Sequence, residues 1–235
     1  MVAQGWRSAA GPDDGPRHRG PVAGVSRPRQ ERALGDPPAD LTGFPRWRLR
    51  PNFVLRRAHR AGRSPWWFSS DLSGRFDLVS PSGTCYLATD ATTALREKFG
   101  HDLVEQGTVS FKFAAETEVS ALVVPAGRWV ADCCHEDAAR FGLTRELGTC
   151  AVYELSQSWA TALHRGGHPG LRYQTRFTTG TRPNAVALFD DGGVHDWPVD
   201  PAPLSGVQAC ADAGIEVADF PTRAQLRVID PPGSK

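Results

Sequence analysis

The chain has 235 residues, 40% of them hydrophobic, and carries 27 Lys and Arg against 26 Asp and Glu for a net charge of +1. That length suffices for one substantial core, and the balanced charge excludes a bulk field that would draw the protein to nucleic acid or to a lipid surface. Five cysteines, odd in number and irregularly spaced, with no basic leader before an apolar run, point to a reduced, cytoplasmic protein. No uncharged apolar run approaches the ~18 residues that a membrane helix requires.

Residues 1–45 are dense in Pro, Gly and Arg and poor in large apolar side chains, so the segment is expected to form a disordered extension. The folded domain is expected over residues 46–230. In it Phe53, Val54 and Leu55 suggest a first strand running into a basic turn with Arg56, Arg57, His59 and Arg60. The stretch TCYLAT then reads as a short buried strand holding Tyr86. DATTALREKFG reads as a helix with Asp90 at its N-cap, Glu97 in its last turn and Gly100 past its end.

TVSFKFA, with apolar residues alternating at Val109, Phe111 and Phe113, predicts a half-exposed strand, and EVSALVVP a buried one. HEDAARFG follows as a short helix. CAVYELSQSWATALHRGG makes a longer one, with Val152, Leu155, Trp159, Ala162 and Leu163 on one core-facing stripe and a glycine stop. GLRYQTRF, NAVALFDD, IEVADF and AQLRVID read as further strands. Because strands cluster instead of alternating with helices, the fold class is α+β, one domain on a mixed or largely antiparallel sheet. There is no internal repeat and no glycine-rich dinucleotide or P-loop fingerprint.

Glu97 follows Arg75 by 22 residues, with Tyr86 on the strand between them. A strand folding back into a helix can aim all three into one cleft, although the spacing alone fits a surface arginine, a core tyrosine and a solvated glutamate more readily. An arginine fork suits a diphosphate, a tyrosine offers a stacking face, and a carboxylate binds ribose hydroxyls or steadies a developing cation. Tyr173, Thr175 and Arg176 on the GLRYQTR strand supply a third segment.

Taken in order, LRRAHR, GRFD, CYLATDATTALREKFG, WATALHRGGHPGLRYQTR and NAVALFDD resemble the RES domain, a family named for an arginine, a glutamate and a serine. The resemblance spans about Trp47 to Asp191. It places Arg75 and Glu97 at the family's arginine and glutamate positions, Thr175 where serine is usual, and Tyr86 at the aromatic before the glutamate helix. Thr175 keeps the hydroxyl and adds a methyl group.

The resemblance implies an ADP-ribosyltransferase-like fold that takes NAD as substrate without a metal and cleaves the nicotinamide–ribose bond. Some members are toxins paired with an antitoxin, and acceptors vary among water, phosphate and protein. On this reading Glu97, Arg75 and Thr175 are catalytic, and Arg75, Tyr86, Arg57 and Tyr173 bind NAD. The alternative is a regulatory protein that binds NAD or a nucleotide on the same fold without turnover.

Three other groupings carry less. Adjacent Cys133 and Cys134 with His135 lack the second ligand pair of a zinc site, and His164 and His168 fit a plain glycine-rich loop. Asp190 to Trp197, DDGGVHDW, fits a turn better than a cation site. Arg56, Arg57, Arg60 and Arg63 beside Trp66 and Trp67 fit a single-stranded nucleic-acid surface, a reading that the near-neutral charge disfavours.

Overall fold

The computed structural model describes residues 33–219, apart from residues 181 and 183. In chain order the strands are β1 (Arg46–Leu49), β2 (Leu55–Arg60), β3 (Trp67–Phe68), β4 (Ser82–Ala88), β5 (Val109–Ser110), β6 (Thr117–Leu122), β7 (Arg128–Asp132), β8 (Gly170–Tyr173), β9 (Ala185–Asp191), β10 (Gly193–Val194), β11 (Leu204–Ser205) and β12 (Val217–Ala218). The α-helices are α1 (Ala91–Gln106), α2 (Phe111–Ala115), α3 (Tyr153–Arg165) and α4 (Gly206–Asp212). Eight strands form one sheet in the order β1-β7-β8-β9-β4-β2-β6-β11. Only the β7–β8 pair is parallel, so the sheet is mixed and mainly antiparallel, as the clustering of strands predicts.

Side-chain alternation divides the sheet into two faces. Cys85 and Leu87 of β4, Val186 and Leu188 of β9 and Leu55 of β2 pack on one side with Trp66 and Phe68. On the other side Tyr86, Ala187 and Tyr173 pack with Trp159, Ala160 and Leu163 of α3. Ala58 of β2, which has the opposite parity from Leu55, packs with Leu95 and Phe99 of α1. The two long helices therefore lie on the same face, α3 over β8 and α1 over β2, with β4 and β9 between them.

Several expectations are corrected. Residues 33–45, expected within the extension, belong to the folded unit. Leu34 is 2% exposed and Phe44 is buried beside it, the Leu34 N–H donates to Glu146 (2.9 Å), and the Trp159 indole donates to the Gly35 carbonyl (2.9 Å). Two apolar anchors and a buried indole in need of an acceptor hold a Pro-rich strap that composition alone marks as unstructured. The expectations for residues 1–32, and for a strand in AQLRVID, lie outside the described residues.

The basic residues Arg56 to Arg60 are strand, not turn, paired residue for residue with β6. TVSFKFA is strand only through Ser110, whose hydroxyl caps α2 by accepting from the Phe113 N–H (3.2 Å). The apolar alternation there reflects Phe113 packing edge-on against Phe99. The helix after Asp90 continues past Gly100 to Gly107, which has φ 73° and closes the helix with its N–H on Leu103. Glu97 is thus mid-helix. Strand β8 stops at Tyr173, so Thr175 and Arg176 sit in the loop beyond it.

Candidate active site

Arg75 leads out of a tight turn before β4. Its guanidinium donates through Nη1 to the Cys150 carbonyl and lies over the Tyr153 ring, 4.8 Å from the centroid, so the start of α3 forms its floor. Tyr86 enters from β4, opposite Ala187 of β9. Its hydroxyl accepts from the Phe76 N–H and donates to Asp77 Oδ1, both at 2.7 Å. With one donor and one acceptor function already used, Tyr86 presents chiefly its ring to a ligand. Burial, reinforced by the Asp77 carboxylate, pushes the phenol well above its ordinary pKa and keeps it neutral.

Asp90 starts α1 by capping the Thr93 N–H (2.7 Å), which fixes the phase of the helix and turns Glu97 toward the loop after β8. There Glu97 Oε1 accepts the Phe177 N–H at 2.9 Å. Gly100, one turn on, is the reason that loop can approach. A Cβ at this position would stand 2.6 Å from Phe177 Cε2 and nearer still to Cγ and Cδ2. The missing methyl group is the seat of the Phe177 ring.

Burial raises the Glu97 pKa above its ordinary value, opposed by the Phe177 N–H, the Arg75 charge, the Thr175 hydroxyl and Arg176. Tyr173, buried edge-on against Phe76 at 4.7 Å, is likewise raised, first by burial and then by the charge of Glu97, with Arg75 acting the other way. Arg75, Glu97, Tyr173 and Thr175 therefore share one electrostatic neighbourhood between α1 and α3. The Thr175 backbone N–H donates to Asn184 (3.0 Å), which ties the loop to the start of β9, while its buried Oγ1 meets no partner at hydrogen-bonding geometry and acts on Glu97 only from longer range. The arrangement offers a carboxylate in a partly dry setting, an arginine and the half-buried Tyr86 ring, with the Tyr173 ring and the Thr175 hydroxyl buried beside them.

Arg57 is not brought to this place. It shares the Leu55 and Cys85 face of the sheet, and its Nη1 donates to the Pro65 carbonyl (2.6 Å), the Trp67 carbonyl (2.8 Å) and Cys85 Sγ (2.8 Å). Arg56, one residue earlier and paired with Ala88, has the parity of Tyr86. The signal that separates them is the alternation itself: Leu55, Arg57 and His59 fall on one side and Arg56 and Ala58 on the other. Sequence reasoning also passes over Tyr153, Cys150 and Gln157, which reach the site from a segment with no chemical motif, and Phe177, just past the GLRYQTR stretch.

A cavity of about 750 Å³ lies elsewhere, between residues 37–46 and the end of α3, lined by Arg46, Arg165 and His168. It adjoins the opposite end of β8 from Thr175 and contains none of the grouped residues. His164 hydrogen-bonds Ser82 (3.3 Å), and His168 packs edge-on against Phe44. Cys133 is buried and Cys134 exposed, so the adjacent pair diverges. Trp66 is core, its indole donating to the Pro198 carbonyl (2.8 Å), while Arg128 pairs with Asp190 (3.1 Å) at the DDGGVHDW turn. Among the described residues no helix is long and apolar enough to cross a membrane.

No curated protein matches the sequence. Among solved structures, a chain of the crystal structure of the M. tuberculosis MbcT–MbcA toxin–antitoxin complex matches with a TM-score of 0.56 at 13% identity, over 75% of this chain and 94% of that one. A likeness at that identity establishes a shared fold. A family model for the RES domain matches residues 54–204, from the start of the first long strand to β11, and the chain belongs to the RES domain family.

Proposed function

We propose that this protein is an NAD-consuming enzyme that breaks the bond between nicotinamide and ribose. Membership of the RES domain family implies NAD as the substrate, as the resemblance of the motifs does. The observation that carries the reading is Glu97, a partly buried carboxylate held by the Phe177 N–H within the field of Arg75 and beside the unspent Thr175 hydroxyl.

Departure of nicotinamide leaves an oxocarbenium-like ribosyl centre, which a fixed negative charge stabilises in a site with little water to compete. Glu97 supplies that charge and orients the 2′-hydroxyl. Arg75 binds the pyrophosphate, Arg56 lies on the same face of the sheet as a further cation, and the Tyr86 ring bounds the nicotinamide side, with Tyr173 in the core beside it. Thr175 Oγ1 takes its missing hydrogen bond from the ribose or the carboxamide. This reading needs no metal. An antitoxin that covers the site would restrain the activity in the cell, in keeping with the toxin–antitoxin complex that shares the fold.

The test is product analysis. The purified chain is incubated with NAD, with and without inorganic phosphate, and products are resolved by mass spectrometry. Free nicotinamide with ADP-ribose indicates water as acceptor, and a phosphorylated ADP-ribose indicates phosphate. Intact NAD under both conditions, and with a protein acceptor added, leaves a nucleotide-binding regulatory protein as the function.

A further inference from the structure

The turn that carries Arg75 is fixed on both sides of that residue. Before it, the Gly74 N–H donates to Asp77 Oδ2 (2.9 Å) and the Gly74 carbonyl accepts from Gln157 Nε2 (2.8 Å), which also donates to the Leu72 carbonyl (2.9 Å). After it, the Phe76 N–H donates to the Tyr86 hydroxyl, and the Phe76 carbonyl accepts from Thr84 Oγ1, both at 2.7 Å. The peptide groups of Gly74 and Phe76 are thus engaged, and the Arg75 side chain runs out between them to the Cys150 carbonyl and the Tyr153 ring.

Asp77 joins these bonds. Its Oδ1 accepts from Tyr86 (2.7 Å), and its Oδ2 accepts from Gly74 N–H and from Ser69 Oγ (3.2 Å). It is 1% exposed. A carboxylate withdrawn from water to that extent is costly, and its donors offset the cost only while they hold their geometry. Gly74 completes the fit, since a Cβ there would stand 2.5 Å from both Asp77 Oδ1 and the Tyr86 hydroxyl.

We propose that Asp77 is a positioning residue: through Tyr86, Gly74 and the Gln157 brace it presets Arg75 for the pyrophosphate of NAD without touching the ligand. The inference rests on the NAD-cleaving reading for the identity of the ligand, while the geometry of the clamp stands apart from it. A clamp of this kind removes ordering that the ligand would otherwise have to impose, so its loss weakens ground-state binding and leaves the chemistry at Glu97 in place.

The experiment measures NAD turnover by Asp77→Asn, with Gln157→Met as a second variant at a half-buried position where folding is less at stake. Releasing one immobilised side chain raises KM by about three- to tenfold with kcat within about twofold, as expected for lost preorganisation. In an Arg75→Ala background, Asp77→Asn produces a clearly smaller further change in KM, because the part of its effect that passes through Arg75 is gone and only its hold on Tyr86 remains. Labelling of Arg75 by phenylglyoxal, followed by mass spectrometry, rises several-fold in both variants and needs no turnover. An equal KM penalty with or without Arg75, or unchanged labelling, overturns the proposal. If the wild type neither binds nor cleaves NAD, the functional reading fails while the labelling still decides the clamp.

Discussion

Glycine to alanine within a helix ordinarily stabilises a protein, by roughly 1 kcal/mol where nothing opposes the methyl group. At Gly100 the sign reverses. The new Cβ would lie 2.6 Å from Phe177 Cε2 and closer to two other ring carbons, so the ring must leave its seat. Overpacking of this kind costs about 1–3 kcal/mol and exceeds or cancels the helix gain, giving a net loss of about 0–2 kcal/mol. Phe177 also holds Glu97 through its backbone N–H, so a shift of the backbone that accompanies the displaced ring weakens one of the groups that favour the ionised carboxylate. Urea denaturation of Gly100→Ala measures the stability, and NAD turnover measures the site. In a Phe177→Ala background the same substitution is expected to become stabilising by up to about 1 kcal/mol, because only propensity remains. Stabilisation by Gly100→Ala in the wild-type background, with turnover intact, would refute the packing argument.

Glu97 carries a pH prediction with a definite sign. Burial raises its pKa in the folded state above the ordinary 4.5, so the folded protein binds a proton more tightly than the unfolded chain does. Stability from this group is full below about 4.5 and is lost as pH rises through the folded-state value. Glu97→Gln, which keeps an acceptor for Phe177, is accordingly more stable than wild type at neutral pH, by a margin in urea melts that vanishes on acidification. The wild-type rate falls on the acid side at a pH above the usual glutamate range. Arg57→Met lowers thermal stability and leaves KM for NAD unchanged, whereas Arg56→Met raises KM, a contrast readable from melting curves and initial rates. Leu34→Ala costs about 2–5 kcal/mol in denaturant unfolding if residues 33–45 are part of the core.

Much of the fold is visible in local pattern. Asp90 announces the start of α1, the apolar stretch around Tyr86 becomes a central strand, and the Trp159 stripe becomes the helix that covers β8. What escapes is governed by partners distant in sequence. Gly100 has the look of a stop, yet its reason is Phe177. Phe111 and Phe113 alternate as in a strand, yet Ser110 caps a helix there and Phe113 meets Phe99. Arg56 and Arg57 are indistinguishable by type, and only the pairing of β2 with β4 and β6 decides which one shares the Tyr86 face of the sheet. The positions of Arg75, Tyr86, Glu97, Tyr173 and Thr175 follow from short motifs in a fixed order. Of the groups that hold them, Asp77 closes the GRFD stretch without a role that its spacing declares, and Gln157, Cys150 and Tyr153 carry no motif, so all four become visible only through their hydrogen bonds and contacts.

The most direct measurement of the central claim is the rate of nicotinamide release from NAD by the wild-type chain and by Glu97→Gln under identical conditions. The amide keeps the shape and the Phe177 hydrogen bond but not the charge. By the cost of removing a preorganised charge stabiliser, roughly 3–4 kcal/mol of barrier, release is expected to fall by about two to three decades while the variant stays folded. Release by wild type and folded Glu97→Gln at equal rates would contradict the account.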